Sequence, residues 1–229
     1  MDFEVNKIID PLSVDCVIFG FEGAELKVLL IKRAIHPNYG DWALPGGFIK
    51  YNESIDDSAI RILKERTGIE GLYMEQLRAF GEVNRYPLYR VITIAYYALV
   101  KPEDYLIKSN DYTTAARWFN IIEVPQMPFD HNRILEAAHE QLIKKVKHEP
   151  VGFNLLPDKF TLLQLQELYE AIYGIKFDKP NFRRKILKMN FLIPLNEKQT
   201  GVTHRFASLY RFDKQRYDYL VDKGFNFEI

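Results

Sequence analysis

A pattern of glycines and acids at fixed spacing constrains this chain more than anything else in it. From Gly47 to Ile69 the sequence reads GFIKYNESIDDSAIRILKERTGI, and Trp42-Ala43-Leu44-Pro45-Gly46 precedes it. Proline and paired glycines interrupt a regular strand, so residues 42–48 form a bent or bulged segment. Residues 54–66 then read as a helix. Ser54 is its N-cap, Asp56 and Asp57 suit the first turn, and Gly68 follows its end.

That spacing resembles the Nudix box: a Gly, five residues, a Glu, seven residues, then Arg-Glu-apolar-x-Glu-Glu-x-Gly-apolar. Gly47, Glu53, Arg61, Leu63, Glu65, Gly68 and Ile69 all fall in register. The resemblance implies a strand, a sharp turn and a helix on which glutamates collect around a divalent cation, since a helix puts residues three and four apart on one face. The three glutamates of the pattern match Ile62, Glu65 and Arg66 here. Ile62 supplies no oxygen, and Arg66 repels a cation. Metal-assisted phosphoryl chemistry is therefore expected to be lost or feeble. No catalytic residue, metal ligand or cofactor is assigned. The cleft can still bind, and Arg33, Tyr39, Trp42, Phe48, Tyr51, Glu53, Glu65 and Arg85 are its candidate contacts. His36 and His131 have no metal-like partners in sequence and are expected to be structural or on the surface.

The remaining pattern divides the chain. Residues 14–19 and 26–32 predict a hairpin around Gly23, 90–100 a strand, 116–121 a shorter one, and 130–147 a helix capped by Asp130. Pro150, Gly152 and Pro157 then punctuate a boundary. We expect one domain over 1–150 and a second over 151–229. Net charge is zero overall, but 151–229 hold 13 Lys/Arg against 9 Asp/Glu, leaving 18 against 22 in 1–150. A basic end on an acidic body fits a nucleic-acid contact confined to that end. No apolar run approaches the roughly 18–20 residues that span a bilayer. The N-terminus lacks the basic-then-apolar layout of a signal peptide. The single cysteine, Cys16, lies in an apolar run and is expected in the core. A cytoplasmic location follows as the expectation.

The basic end predicts two helices and a hairpin. Residues 161–173 form the first helix, ended by Gly174. The second begins at Pro180 behind Asp178 and runs to about Met189. On it Asn181, Arg184, Lys185 and Lys188 make one polar stripe, opposite Phe182, Ile186 and Met189. Such a helix suits the major groove, with Asn and Arg reading base edges and Lys meeting phosphate. Arg183 lies at the margin of the stripe. Strand-like runs 191–195 and 207–212 flank a loop carrying Lys198, Thr203, His204 and Arg205, which reads as a wing.

Together the Nudix-like box, FTLLQLQELYEAIYG and DKPNFRRKIL resemble the Nudix-related transcriptional regulator family over nearly the whole chain. The resemblance implies an α+β protein: a Nudix-like α/β/α sandwich with a mixed sheet, then a winged helix-turn-helix. It further implies a homodimer on a palindromic operator in double-stranded DNA, and a small-molecule effector. ADP-ribose and sugars such as L-arabinose serve different branches, and the degraded box favours a sugar. A working hydrolase of nucleoside diphosphate sugars is the alternative reading.

Overall fold

The computed structural model describes residues 11–105, 107, 112–199, 206–225 and 227–228. The chain divides into two compact units. One runs to Gly20 and from Lys27 to His139; the other comprises Phe21–Leu26 and the chain from Glu140 on.

The first unit is built around strand β1 (Leu12–Glu22), a nearly unbroken apolar run buried on both faces. It forms the expected hairpin with β2 (Glu25–Arg33). The bent segment gives two short strands, β3 (Trp42–Ala43) and β4 (Gly46–Phe48). Helix α1 (Ile55–Thr67) follows, then β5 (Glu75–Phe80), β6 (Ile92–Val100) and β7 (Thr113–Asn120). The sheet order is β3-β2-β1-β6-β5, with β4 on β1 and β7 on β2. β1 and β6 run parallel and the other described pairs antiparallel, so the sheet is mixed. Residues Val14, Cys16 and Ile18 on one face of β1 pack under Ala59, Ile62 and Leu63 of α1. On the other face Phe19 lies 6.4 Å from His139 of α2 (His131–His148). Since side chains alternate along a strand, the two helices cover opposite faces.

The caps of α1 are those expected. The Ser54 side chain accepts from the Asp57 N–H, and Gly68 adopts a left-handed φ of 79°, which glycine takes without steric cost. Asp130 precedes α2, but its carboxylate holds Arg85.

In the second unit a three-stranded sheet, ordered β8 (Phe160–Thr161), β10 (Ser208–Phe212), β9 (Leu192–Lys198), packs with three helices. These are α3 (Leu162–Tyr173), α4 (Lys179–Lys188) and α5 (Lys214–Asp222). Thr161 and Gln164 form a reciprocal capping box on α3, and Gly174 ends it. Pro180 is the second residue of α4, one later than expected, because the helix starts at Lys179 behind its Asp178 cap. The turn between the helices is tied by Glu170. This buried carboxylate accepts from Gln166, Lys176 and the Phe177 N–H, which fixes where α4 begins.

Candidate functional site

In the first unit a cleft opens where β4, the end of α1 and the start of α2 meet the edge of the sheet. The hollow itself is small, about 90 Å3, and opens to solvent on one side. Ser13, Asp15, Arg33, Arg66, Arg85, Tyr86, Phe129 and His131 line it, with the Gly46–Phe48 backbone. Gly46 has no room for a side chain, since a Cβ there would stand 2.1 Å from Asp15 Oδ1.

The floor is an ion cluster. Arg85 is 7% exposed. It donates to Asp15 Oδ2 at 3.2 Å and to both oxygens of Asp130, at 3.0 and 2.7 Å. Hydrogen bonds and charge from these carboxylates outweigh burial and raise its pKa. His131 is buried beside it. Its Nδ1 accepts from the Leu44 N–H at 3.1 Å, and its Nε2 lies 3.5 Å from Asp15 Oδ1. Burial pushes the His131 pKa down, so the ring is neutral at physiological pH. The expectation for His131 is thus corrected in one respect: it is structural, yet it also faces the cleft. Arg85 reaches the cleft already paired.

Above the floor stand two differently held arginines. Arg33 donates through Nε and Nη2 to Pro37 O at 3.1 and 3.0 Å and lies 5.2 Å from the Phe129 ring centre. Arg66 donates through Nε to Gly46 O at 3.0 Å and covers the Tyr112 ring at 4.1 Å. Among the described residues neither has a carboxylate within ion-pair distance. The aromatic wall continues through Phe48, Tyr86 and Phe129, with centroids 6.3 and 5.1 Å apart.

The residues do not fit a divalent cation. Ile62 is fully buried in the core under the sheet. Glu53 and Glu65 are both taken by Arg61, whose Nε reaches Glu53 Oε2 at 2.7 Å and whose Nη1 reaches Glu65 Oε2 at 2.9 Å. That hydrogen bonding holds the Glu53 carboxyl down at about 2. Among the described residues no group of three His, Cys, Asp or Glu could hold a metal.

Of the expected contacts, Arg33, Phe48 and Arg85 line this cleft. Tyr51 is almost fully exposed beside a neighbouring hollow with Lys50 and Tyr89. Tyr39 stacks on His36 at 5.8 Å. Trp42 packs edge-on against Phe119. Asp15, Arg66, Tyr86 and Phe129 were not among the expected contacts. Only Arg66 carried a local signal, its charge within the box.

In the second unit α4 turns Phe182 and Ile186 inward, 5% and 1% exposed. Asn181, Arg184, Lys185 and Lys188 lie exposed on its other side. Arg184 Nη2 donates to Asn181 Oδ1 at 2.5 Å. Arg183 is half-buried and lines a notch with Lys179, Thr161 and Tyr210. Lys198 is exposed at the end of β9. Thr203, His204 and Arg205 lie outside the described residues.

Comparison with known proteins places both halves. Residues 10–138 match the NUDIX domain, and residues 152–212 match the NrtR DNA-binding winged helix domain. The ADPR responsive transcriptional repressor NtrR of Acinetobacter baylyi is 32% identical over 91% of this chain and 84% of its own length. Shewanella oneidensis NrtR, solved in complex with a 27mer DNA, superposes with a TM-score of 0.70 at 33% identity, covering 88% of this chain and 93% of that one. Its NUDIX domain complexed with ADP ribose gives 0.56 at 33% identity, over 62% and 94% of the respective chains. These relatives give no support to a sugar effector. Among the described residues no helix is long and apolar enough to cross a membrane. The chain belongs to the Nudix-related transcriptional regulators of the NrtR type, DNA-binding repressors in which a Nudix domain precedes a winged helix.

Proposed function

We propose that this repressor binds ADP-ribose, or a close nucleoside diphosphate ribose, in its Nudix cleft without hydrolysing it, and that binding sets its hold on operator DNA. The observation that carries the reading is the pair of carboxylate-free guanidiniums, Arg33 and Arg66, beside an aromatic wall. A diphosphate carries the opposite charge, and guanidinium is the side chain best shaped to meet its oxygens in pairs. Phe48, Tyr86 and Phe129 offer faces on which a base can stack. The box supports retention without turnover, since Ile62 is core and both remaining glutamates are held by Arg61.

The DNA contact is α4, entering the major groove with Asn181, Arg184, Lys185 and Lys188. Arg183 and the wing residues Lys198, Thr203, His204 and Arg205 reach the backbone. A homodimer on a palindrome requires half-sites about one helical turn apart, roughly 34 Å. Domain limits of 1–150 and 151–229 suit this division of labour. An effector that prefers one arrangement of the dimer shifts operator affinity by a coupling of about 1–3 kcal/mol.

Thermal shift on the full chain tests the effector. ADP-ribose at about 100 times its Kd stabilises by about 2.7 kcal/mol, while L-arabinose gives no shift. The reverse result overturns the reading. Rapid turnover of ADP-ribose with magnesium at low protein concentration favours the hydrolase instead.

A further inference from the structure

In this fold the box gathers carboxylates to hold a cation against a diphosphate, and here the residues do not fit one. We infer that Arg66 itself takes the electrostatic place of that cation, so that the cleft binds a diphosphate-bearing ligand in the absence of any divalent metal. The inference rests on the proposed reading of the cleft as a diphosphate site and goes beyond it in naming what neutralises the ligand.

Three features carry it. First, the Arg66 guanidinium is fixed in place. Its Nε is bound to Gly46 O, one face lies on Tyr112, and its Nη2 is 3.3 Å from where a Cβ of Gly47 would stand. The glycine that the box requires therefore makes room for this side chain. Second, the charge is left uncancelled. Arg61 is consumed by Glu53 and Glu65, and Arg85 by Asp15 and Asp130. Arg66 keeps no carboxylate partner among the described residues, and its Nη1 is buried with no hydrogen-bond partner among them. Burial, with Arg33 and Arg61 nearby, opposes its charged form, and Glu65 and Tyr112 only partly compensate. An anion is what this position lacks. Third, Arg33 faces the same cleft in the same condition, so two guanidiniums meet the two charges of a diphosphate.

The same replacement accounts for the absence of turnover under the proposed reading. A guanidinium neutralises phosphate oxygens in the ground state. It does not generate the hydroxide nucleophile that a metal-bound water provides. With Ile62 in the core and Arg66 in the cleft, the box retains a ligand that it does not activate.

Isothermal titration of the full chain with ADP-ribose, in EDTA and in millimolar magnesium, tests this. Affinity is expected to agree within about threefold between the two buffers. Arg66→Gln is expected to lose at least about tenfold in both, a step of about 1.4 kcal/mol, and Arg66→Lys to fall between. Arg66→Glu is expected to abolish binding in EDTA and to regain part of it with magnesium. Melting curves of each variant check the fold, and Arg66→Lys decides if the others do not fold. Binding that vanishes in EDTA overturns the inference and leaves the diphosphate reading standing. Wild-type affinity in Arg66→Gln or Arg66→Lys also overturns it. No binding of ADP-ribose in either buffer overturns the diphosphate reading itself.

Discussion

Two groups of basic side chains sit in this chain under opposite conditions. Around the cleft, Arg33, Arg61, Arg66 and Arg85 are each anchored by a fixed acceptor: a backbone carbonyl for Arg33 and Arg66, carboxylates for Arg61 and Arg85. On α4, Arg184, Lys185 and Lys188 are exposed, and among the described residues none of them makes an ion pair. The first arrangement restricts where the guanidiniums point, because a partly buried guanidinium with a set hydrogen bond is held in one orientation. The second leaves its charges exposed to solvent, which suits a polyanion whose counterions must be released along a groove. On the proposed reading the cleft presents charge in a fixed geometry, and the helix presents charge without one.

The largest effect comes from removing the cleft's own framework. Arg85→Ala leaves Asp15 and Asp130 buried without their partner, with side chains 7% and 9% exposed. Breaking a buried pair from one side costs about 3–5 kcal/mol, which lowers the melting temperature by roughly 10 °C. Calorimetry on the full chain measures it. Under conditions where the variant is folded, non-specific DNA binding through α4 is expected to be unchanged. A loss below about 1 kcal/mol would mean that the floor is not the cleft's support, and the contrast with α4 would collapse.

On α4 the expected effects are smaller and of another kind. Arg184→Ala, at a base-reading position, is expected to cost about 1–3 kcal/mol of operator affinity. Lys188→Ala is expected to weaken all duplexes similarly and to reduce the slope of log affinity against log salt by about one. Fluorescence anisotropy across a salt series reads both, and ADP-ribose affinity is expected to stay the same. Equal damage to ADP-ribose binding would show that the two regions are not separable at the level of side chains.

What the sequence revealed about each region follows from how local its physics is. Ser54, Gly68, Thr161, Gly174 and Asp178 mark helix ends through contacts within a few residues, so α1, α3 and α4 were legible. The stripe of α4 was legible for the same reason. β5 was not: three of its six residues are exposed, and it follows no apolar alternation. α5 was missed because it buries no residue fully. The cleft floor was illegible because it is made at long range. Arg85 meets Asp15 and Asp130 from far along the chain, and His131 reaches Leu44 in the same way. Arg66 is visible in the sequence, but there its charge says only that a metal is repelled. Losing a cation's ligands differs from losing positive charge, and only the surroundings of Arg66 separate the two.

The smallest effect concerns the box's remaining acids and sharpens the contrast on the cleft side. Glu53 accepts from Arg61 and from the Lys50 N–H at 2.8 Å, and these bonds hold its carboxyl down from 4.5 to about 2. The folded state therefore binds its proton more weakly than the unfolded chain does. The stability from this group is complete above about 4.5 and is lost as pH falls towards about 2. Glu53→Gln removes the titration. The gap in melting temperature between the native chain and this variant is expected to be widest near neutral pH and to narrow steadily through that acid window. A gap that stays constant with pH would show that Arg61 is held by Glu65 and the Phe48 carbonyl alone. It would also free Glu53, which Arg61 otherwise holds, to meet a cation.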